Sequence, residues 1–177
     1  MRLCVRIPMK LQFEKIEPEV GSSFRVIHST EPETCRVYWH HHPEYEIVYI
    51  PFGNGQRRIG TNVSCYESGE LVFIGPDLPH LNFSYGKEGL YEEIVVQLRE
   101  DFMGEPFLEK PELATVKRLF ERAHLGLTFG TRTKQQIGPW LKELPGLPPF
   151  ERFLLLLRIL QHLADTTDVE FLHANGV

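Results

Sequence analysis

The residues with the clearest capacity for chemistry lie in one run, His40-His41-His42-Pro43-Glu44-Tyr45-Glu46, with Gly53 seven residues further on. The spacing is H-x-H-x3-E-x6-G. On an extended strand, side chains two apart leave the same face, roughly 6.6 Å apart along the chain. His40 and His42 can therefore converge on one ion while His41 points the opposite way. Glu46 shares their parity and can add an oxygen once Pro43 bends the chain. A fourth ligand must come from another strand, and His80 is placed to supply it, entering a strand behind the stiff turn Gly75-Pro76-Asp77-Leu78-Pro79. Imidazole and carboxylate together suit Zn, Ni, Fe or Mn, and the sequence does not choose among these divalent metals.

Such a set needs strands to hold it. From residue 10 to about 100, short runs of β-branched and aromatic residues are broken by Gly, Pro and Asn at intervals of roughly ten, the signature of a compact all-β unit. The runs that read as strands are Phe24 to His28, Cys35 to His42, Glu46 to Pro51, Gln56 to Gly60, Leu71 to Gly75, His80 to Ser84 and Tyr91 to Leu98. Seven strands suggest a sandwich or barrel. Gly53-Asn54-Gly55 predicts a tight hairpin that pairs the strands on either side of it, because Asn-Gly accepts the positive φ angles of a type I′ turn.

Beyond Arg99 the periodicity becomes helical, and residues 101–167 read as an appended helical segment. Pro111 opens a helix ending near His124 and Gly126. Thr133 to Leu144 predicts two short pieces, because Gly138-Pro139 interrupts it and an interior proline costs about 3 kcal/mol. The longest helix runs from Pro149 to Asp165, and its apolar arc exceeds the width that one packing face needs. Two burial partners are implied: either the β unit and the preceding helices, or the β unit and a second subunit. The excess apolar surface favours a homodimer, with Leu156 and Leu160 among the expected interface residues.

The two histidine stretches together resemble the paired motifs of the cupin superfamily, whose small β-barrel (double-stranded β-helix or jelly-roll) commonly holds a divalent metal on three histidines and a glutamate. The resemblance gives the ligand roles to His40, His42, Glu46 and His80, and to Gly53 the turn after the strand. The second motif departs from the family at Glu67, Glu70, Asp77 and Ser84. Within the cupins, Trp39 to Glu46, Gly75 to His80, Glu121-Arg122-Ala123, Gly126-Leu127 and the leucine-rich 150–163 segment resemble the effector-binding and dimerisation half of AraC-family transcription regulators. That resemblance implies a barrel over 10–100, a helical dimerisation segment over 101–167, and at 168–177 the start of a linker to a helix-turn-helix domain absent from this chain. It implies a regulator rather than an enzyme, with a small polar effector, such as a sugar, held by Tyr38, Arg57, Arg58 and Gln97. The alternative is a metal-dependent cupin enzyme, an oxygenase or isomerase, using the same four metal-site residues.

Composition sets limits on both readings. With 19 basic against 24 acidic residues the net charge is -5, opposite to the footprint that phosphate neutralisation demands, so DNA would be reached only through the absent domain. Three cysteines, Cys4, Cys35 and Cys65, lie far apart and fit a reducing cytoplasm. No apolar run approaches the roughly 18 residues of a membrane span. Residues 1–8 read as an ill-ordered extension before a second methionine, Met9.

Overall fold

The structure is a computed structural model, and it describes residues 10–17, 19–32, 38–84, 89–104 and 106–173. Residues 1–8, Cys4, Cys35 and the first part of the strand expected from Cys35 lie outside these. Two sheets face each other. The first contains β1 (Gln12–Phe13), β3 (Trp39–His41), β8 (His80–Leu81), β5 (Gly55–Ile59) and β6 (Asn62–Tyr66), in that order. The second runs β11 (Val169–Phe171), β10 (Leu127–Phe129), β7 (Glu70–Ile74), β4 (Tyr45–Ile50), β9 (Glu93–Leu98) and β2 (Phe24–Ser29). Pairing is antiparallel apart from β1 with β3, and among the described residues no ladder joins one sheet to the other.

The period of two sorts the second sheet. Glu46, Val48 and Ile50 of β4, Glu70, Val72 and Ile74 of β7, and Glu93, Val95 and Gln97 of β9 share the parity that faces the first sheet. Val48, Ile50, Val72, Ile74 and Val95 pack there with Ile59, Tyr66 and Phe83. The intervening residues, Tyr45, Ile47, Tyr49, Leu71, Phe73, Ile94, Val96 and Leu98, pack against three helices. These are α1 (Ala114–Ala123), α2 (Thr131–Glu143) and α3 (Pro149–Asp165). A sheet buried on both faces reads as continuous apolar runs, as YEIVYI and ELVFI do.

Several expectations are corrected. The strands flanking Gly53-Asn54-Gly55 do not pair: β4 and β5 belong to different sheets, and Asn54 is not in the positive φ region. Asn54 instead accepts a hydrogen bond from the Ser68 N–H at 3.0 Å, so the segment carries the chain from one sheet to the other. The tight hairpin comes one strand later, where Gly60 (φ +55°) and Thr61 join β5 to β6, a strand absent from the sequence reading. Thr131–Glu143 is one helix despite Pro139. Pro139 and Gln135 both lie on its exposed side, where water can satisfy the carbonyl that proline leaves without a donor, while Ile137 and Leu141 anchor the opposite side. Residues 169–171, expected to lie in a linker, form β11 and pair with β10. Leu156 and Leu160 are fully buried within the chain, against the sheet and the neighbouring helices, so they are core residues. The exposed apolar residues of α3 are Phe150 and Leu154.

Candidate metal centre

Two cross-strand pairs build the centre. On the first sheet His40 of β3 lies directly opposite His80 of β8, and on the second Glu46 of β4 lies opposite Gln97 of β9. His42 stands in the bend between β3 and β4. The loop before His80 is held by a close approach: the Gly75 N–H donates to the Ala123 carbonyl at 2.9 Å, and a Cβ on Gly75 would sit 2.8 Å from that backbone. The Asp77 N–H donates to the His42 carbonyl at 2.8 Å, tying the second histidine stretch to the first. His41 points away, as its parity requires, and meets Asp77 Oδ1 at 3.0 Å.

All three inward imidazoles are oriented alike. His40 Nδ1 lies 2.9 Å from the Tyr38 carbonyl, His42 Nδ1 3.1 Å from the Glu44 carbonyl, and His80 Nδ1 2.9 Å from the Leu78 carbonyl. A carbonyl only accepts, so each Nδ1 carries the proton and each Nε2 is left as the ligand-capable nitrogen. The ligand atoms of His40, His42 and His80 lie within 4.8 Å of one another, and all three residues are buried. Among the described residues His80 Nε2 is buried without a hydrogen-bond partner, although it faces Glu46 Oε1 at 3.4 Å. An orphaned nitrogen beside two others and a carboxylate fits a cation, and these three histidines could hold a divalent metal ion.

The carboxylates are matched to this arrangement. Glu46 Oε2 lies 3.2 Å from His42 Nε2 and accepts from Gln97 Nε2 at 2.8 Å. Burial opposes the charge on Glu46, but the neighbouring His42 and His80 outweigh it and hold the carboxyl well below its usual range. His42 responds in the opposite sense: burial would lower it, yet Glu46 prevails and raises it. Burial, reinforced by His80, pushes His40 down to about 4. His40 Nε2 faces Glu14 Oε2 at 3.3 Å, and burial together with the charge of Glu46 raises the Glu14 carboxyl.

The centre opens into a cavity of about 260 Å³ between the sheets. Of the residues expected to bind a ligand, Tyr38 and Gln97 line it, and Tyr38 also stacks on His40 with ring centres 4.4 Å apart. Arg57 and Arg58 do not line it. Arg57 pairs with the buried Glu70, and the Arg58 guanidinium lies 4.7 Å above the Trp39 ring, because adjacent strand residues face opposite ways. Glu14 and Glu93 line the cavity without having been singled out in the sequence. The parity shared by Glu93 and Gln97 was the available signal. Burial pushes the Glu93 carboxyl up to about 7.

No family model matches this chain, and no curated protein does. Solved structures similar to it include a cupin 2 conserved barrel domain protein from Salinispora arenicola, 17% identical, covering 50% of this chain and 73% of that one with a TM-score of 0.38. The plu4264 protein from Photorhabdus luminescens is 22% identical, covering 48% and 72%, with a TM-score of 0.38. Streptomyces albus HEPD, solved with 2-hydroxyethylphosphonate and Fe(II) bound, is 18% identical, covering 87% of this chain and 44% of that one, with a TM-score of 0.36. Among the described residues no helix is long and apolar enough to cross a membrane.

Proposed function

We propose that this chain is a cupin-type small-molecule-binding domain with a divalent metal held by His40, His42 and His80, Glu46 lying beside it as a further ligand. We propose further that it serves as the effector-sensing and dimerisation part of an AraC-type transcription regulator in the cytoplasm. The observation that carries the binding role is the set of three imidazoles, each fixed by a backbone carbonyl, whose ligand-capable nitrogens gather beside a cavity that His40 and His80 line. Such a site takes a small polar effector. DNA contact belongs to a separate domain, in keeping with the net charge of -5. A homodimer would use what α3 leaves uncovered, Phe150 and Leu154.

A metal-dependent cupin enzyme is the second reading, favoured by the direct opening of the histidine set onto the cavity, where a bound ion would act as a Lewis acid. The deciding experiment measures metal content by elemental analysis and turnover of candidate ligands on the same preparation. About one divalent ion per chain, lost in His40→Ala/His42→Ala protein, with ligand binding but no turnover, supports the sensor. Turnover that depends on Glu46 and His80 makes the enzyme reading the right one. Protein without metal at neutral pH overturns the centre itself.

A further inference from the structure

We propose that the cavity is built for a small cationic ligand, a primary amine carrying a hydroxyl group, with its ammonium beside Glu93 and its hydroxyl beside Gln97. This names the effector class of the site proposed above and rests on that reading.

The inner face of β9 presents Glu93, Val95 and Gln97 in line along the cavity. With a rise of about 3.3 Å per residue, Glu93 and Gln97 lie roughly 13 Å apart along the strand, with Val95 as an apolar floor between them. Gln97 is only 4% exposed. Its Nε2 donates to Glu46, which fixes the amide, since the flipped orientation would set its oxygen against a carboxylate. Gln97 Oε1 is therefore a buried acceptor on the cavity wall with no donor among the described residues. A ligand bearing an O–H or N–H at this end supplies that donor.

The sign of the ligand's charge follows from the rest of the lining. Glu14, Glu31, Glu46 and Glu93 contribute carboxylates, and among the described lining residues there is neither Lys nor Arg. Glu46 is matched by His42 and His80, and Glu14 by His40. Among the described residues no histidine, lysine or arginine is paired with Glu93, and the Ser29 and Ser84 hydroxyls line the cavity with it. A neighbouring ammonium would draw the raised Glu93 carboxyl back toward its charged form. An anionic ligand would instead enter a lining of four acidic side chains with no lysine or arginine among its described residues.

The test uses the whole chain, metal-loaded, in titration calorimetry with three compounds of one length: aminobutanol, butanediol and hydroxybutyrate, each substituted at its terminal carbons. The amine should bind at least about tenfold more tightly than the diol, and the acid most weakly. Glu93→Gln, with folding checked by thermal melting, should bring amine and diol to within about twofold of each other. Equal or tighter binding of the acid overturns the proposal, as does an amine preference that survives Glu93→Gln. Protein that holds one ion and ignores all three compounds loses this proposal and keeps the metal centre. Protein that holds no ion but prefers the amine does the reverse.

Discussion

At one end of the space between the sheets, Arg57 of β5 reaches Glu70 of β7. At the other, four residues along β4, His40 and His80 face Glu46 and Gln97. Both clusters are buried, polar and built across the two sheets. The Arg57 cluster is complete: Glu70 Oε1 accepts from Thr128 Oγ1 at 2.9 Å and from the Leu71 N–H at 3.0 Å, and Arg57 Nε donates to Ser64 Oγ at 2.9 Å. The histidine cluster is incomplete, with His80 Nε2 and Gln97 Oε1 left open. A satisfied cluster fixes how the sheets sit together, whereas an unsatisfied one waits for an ion or a ligand. Hydrogen-bond completeness, rather than burial or residue type, separates scaffold from site here.

Three measurements bear on that contrast. The largest effect is expected from Glu70→Ala, which leaves the Arg57 guanidinium without its partner in a nearly closed space and should cost about 3 kcal/mol in denaturant unfolding. Metal-free His80→Ala should lose much less. Equal losses at the two ends would erase the distinction. Next comes metal linkage: at a free ion concentration about a hundredfold above Kd, the ion should stabilise wild-type protein by about 2.7 kcal/mol. A chelator should remove that gain, and His80→Ala should abolish it. If the same ion stabilises His80→Ala equally, it binds elsewhere.

The smallest effect concerns Glu93. Its folded value of about 7 lies above the ordinary 4.5, so the fold favours the neutral carboxyl. That contribution is present below about pH 4.5 and is lost as pH rises through about 7. Glu93→Gln should therefore gain about 1 kcal/mol over wild type between pH 5 and pH 8, a value reduced from the full shift because the carboxyl borders an open cavity. A melting-temperature difference that is the same at both pH values would show that Glu93 titrates normally.

The gathering of His40, His42, Glu46 and His80 was legible because strand parity and the two histidine stretches are local signals, and the place of Gln97 on the cavity wall followed from its apolar strand. Glu14 was not, since β1 is two residues long and only its parallel pairing with β3 brings Glu14 to His40. Arg57 and Arg58 show another limit. Parity says that one of two neighbours faces inward, but not that the inward one meets a carboxylate thirteen residues away. The strands β10 and β11 were missed because three residues next to a helix carry no period of their own. The hairpin was assigned one strand early because Asn-Gly satisfies a turn rule that Gly60-Thr61 meets less conspicuously.

The pairing of β10 with β11 bears on how the chain folds. The sheet that carries Glu46 and Gln97 draws its strands from residues 24 through 171, and it alternates distant segments: residues 70–74 lie between 45–50 and 127–129, which in turn lie beside 169–171. Nearly every ladder in it closes a long loop, and the entropy of those closures is spent before the contacts repay it. Proteins dominated by such non-local pairing fold in milliseconds to seconds. Until residues 169–171 arrive, β10 is an open edge able to pair with another chain, so during synthesis that edge stays uncovered until the segment beyond α3 has been made.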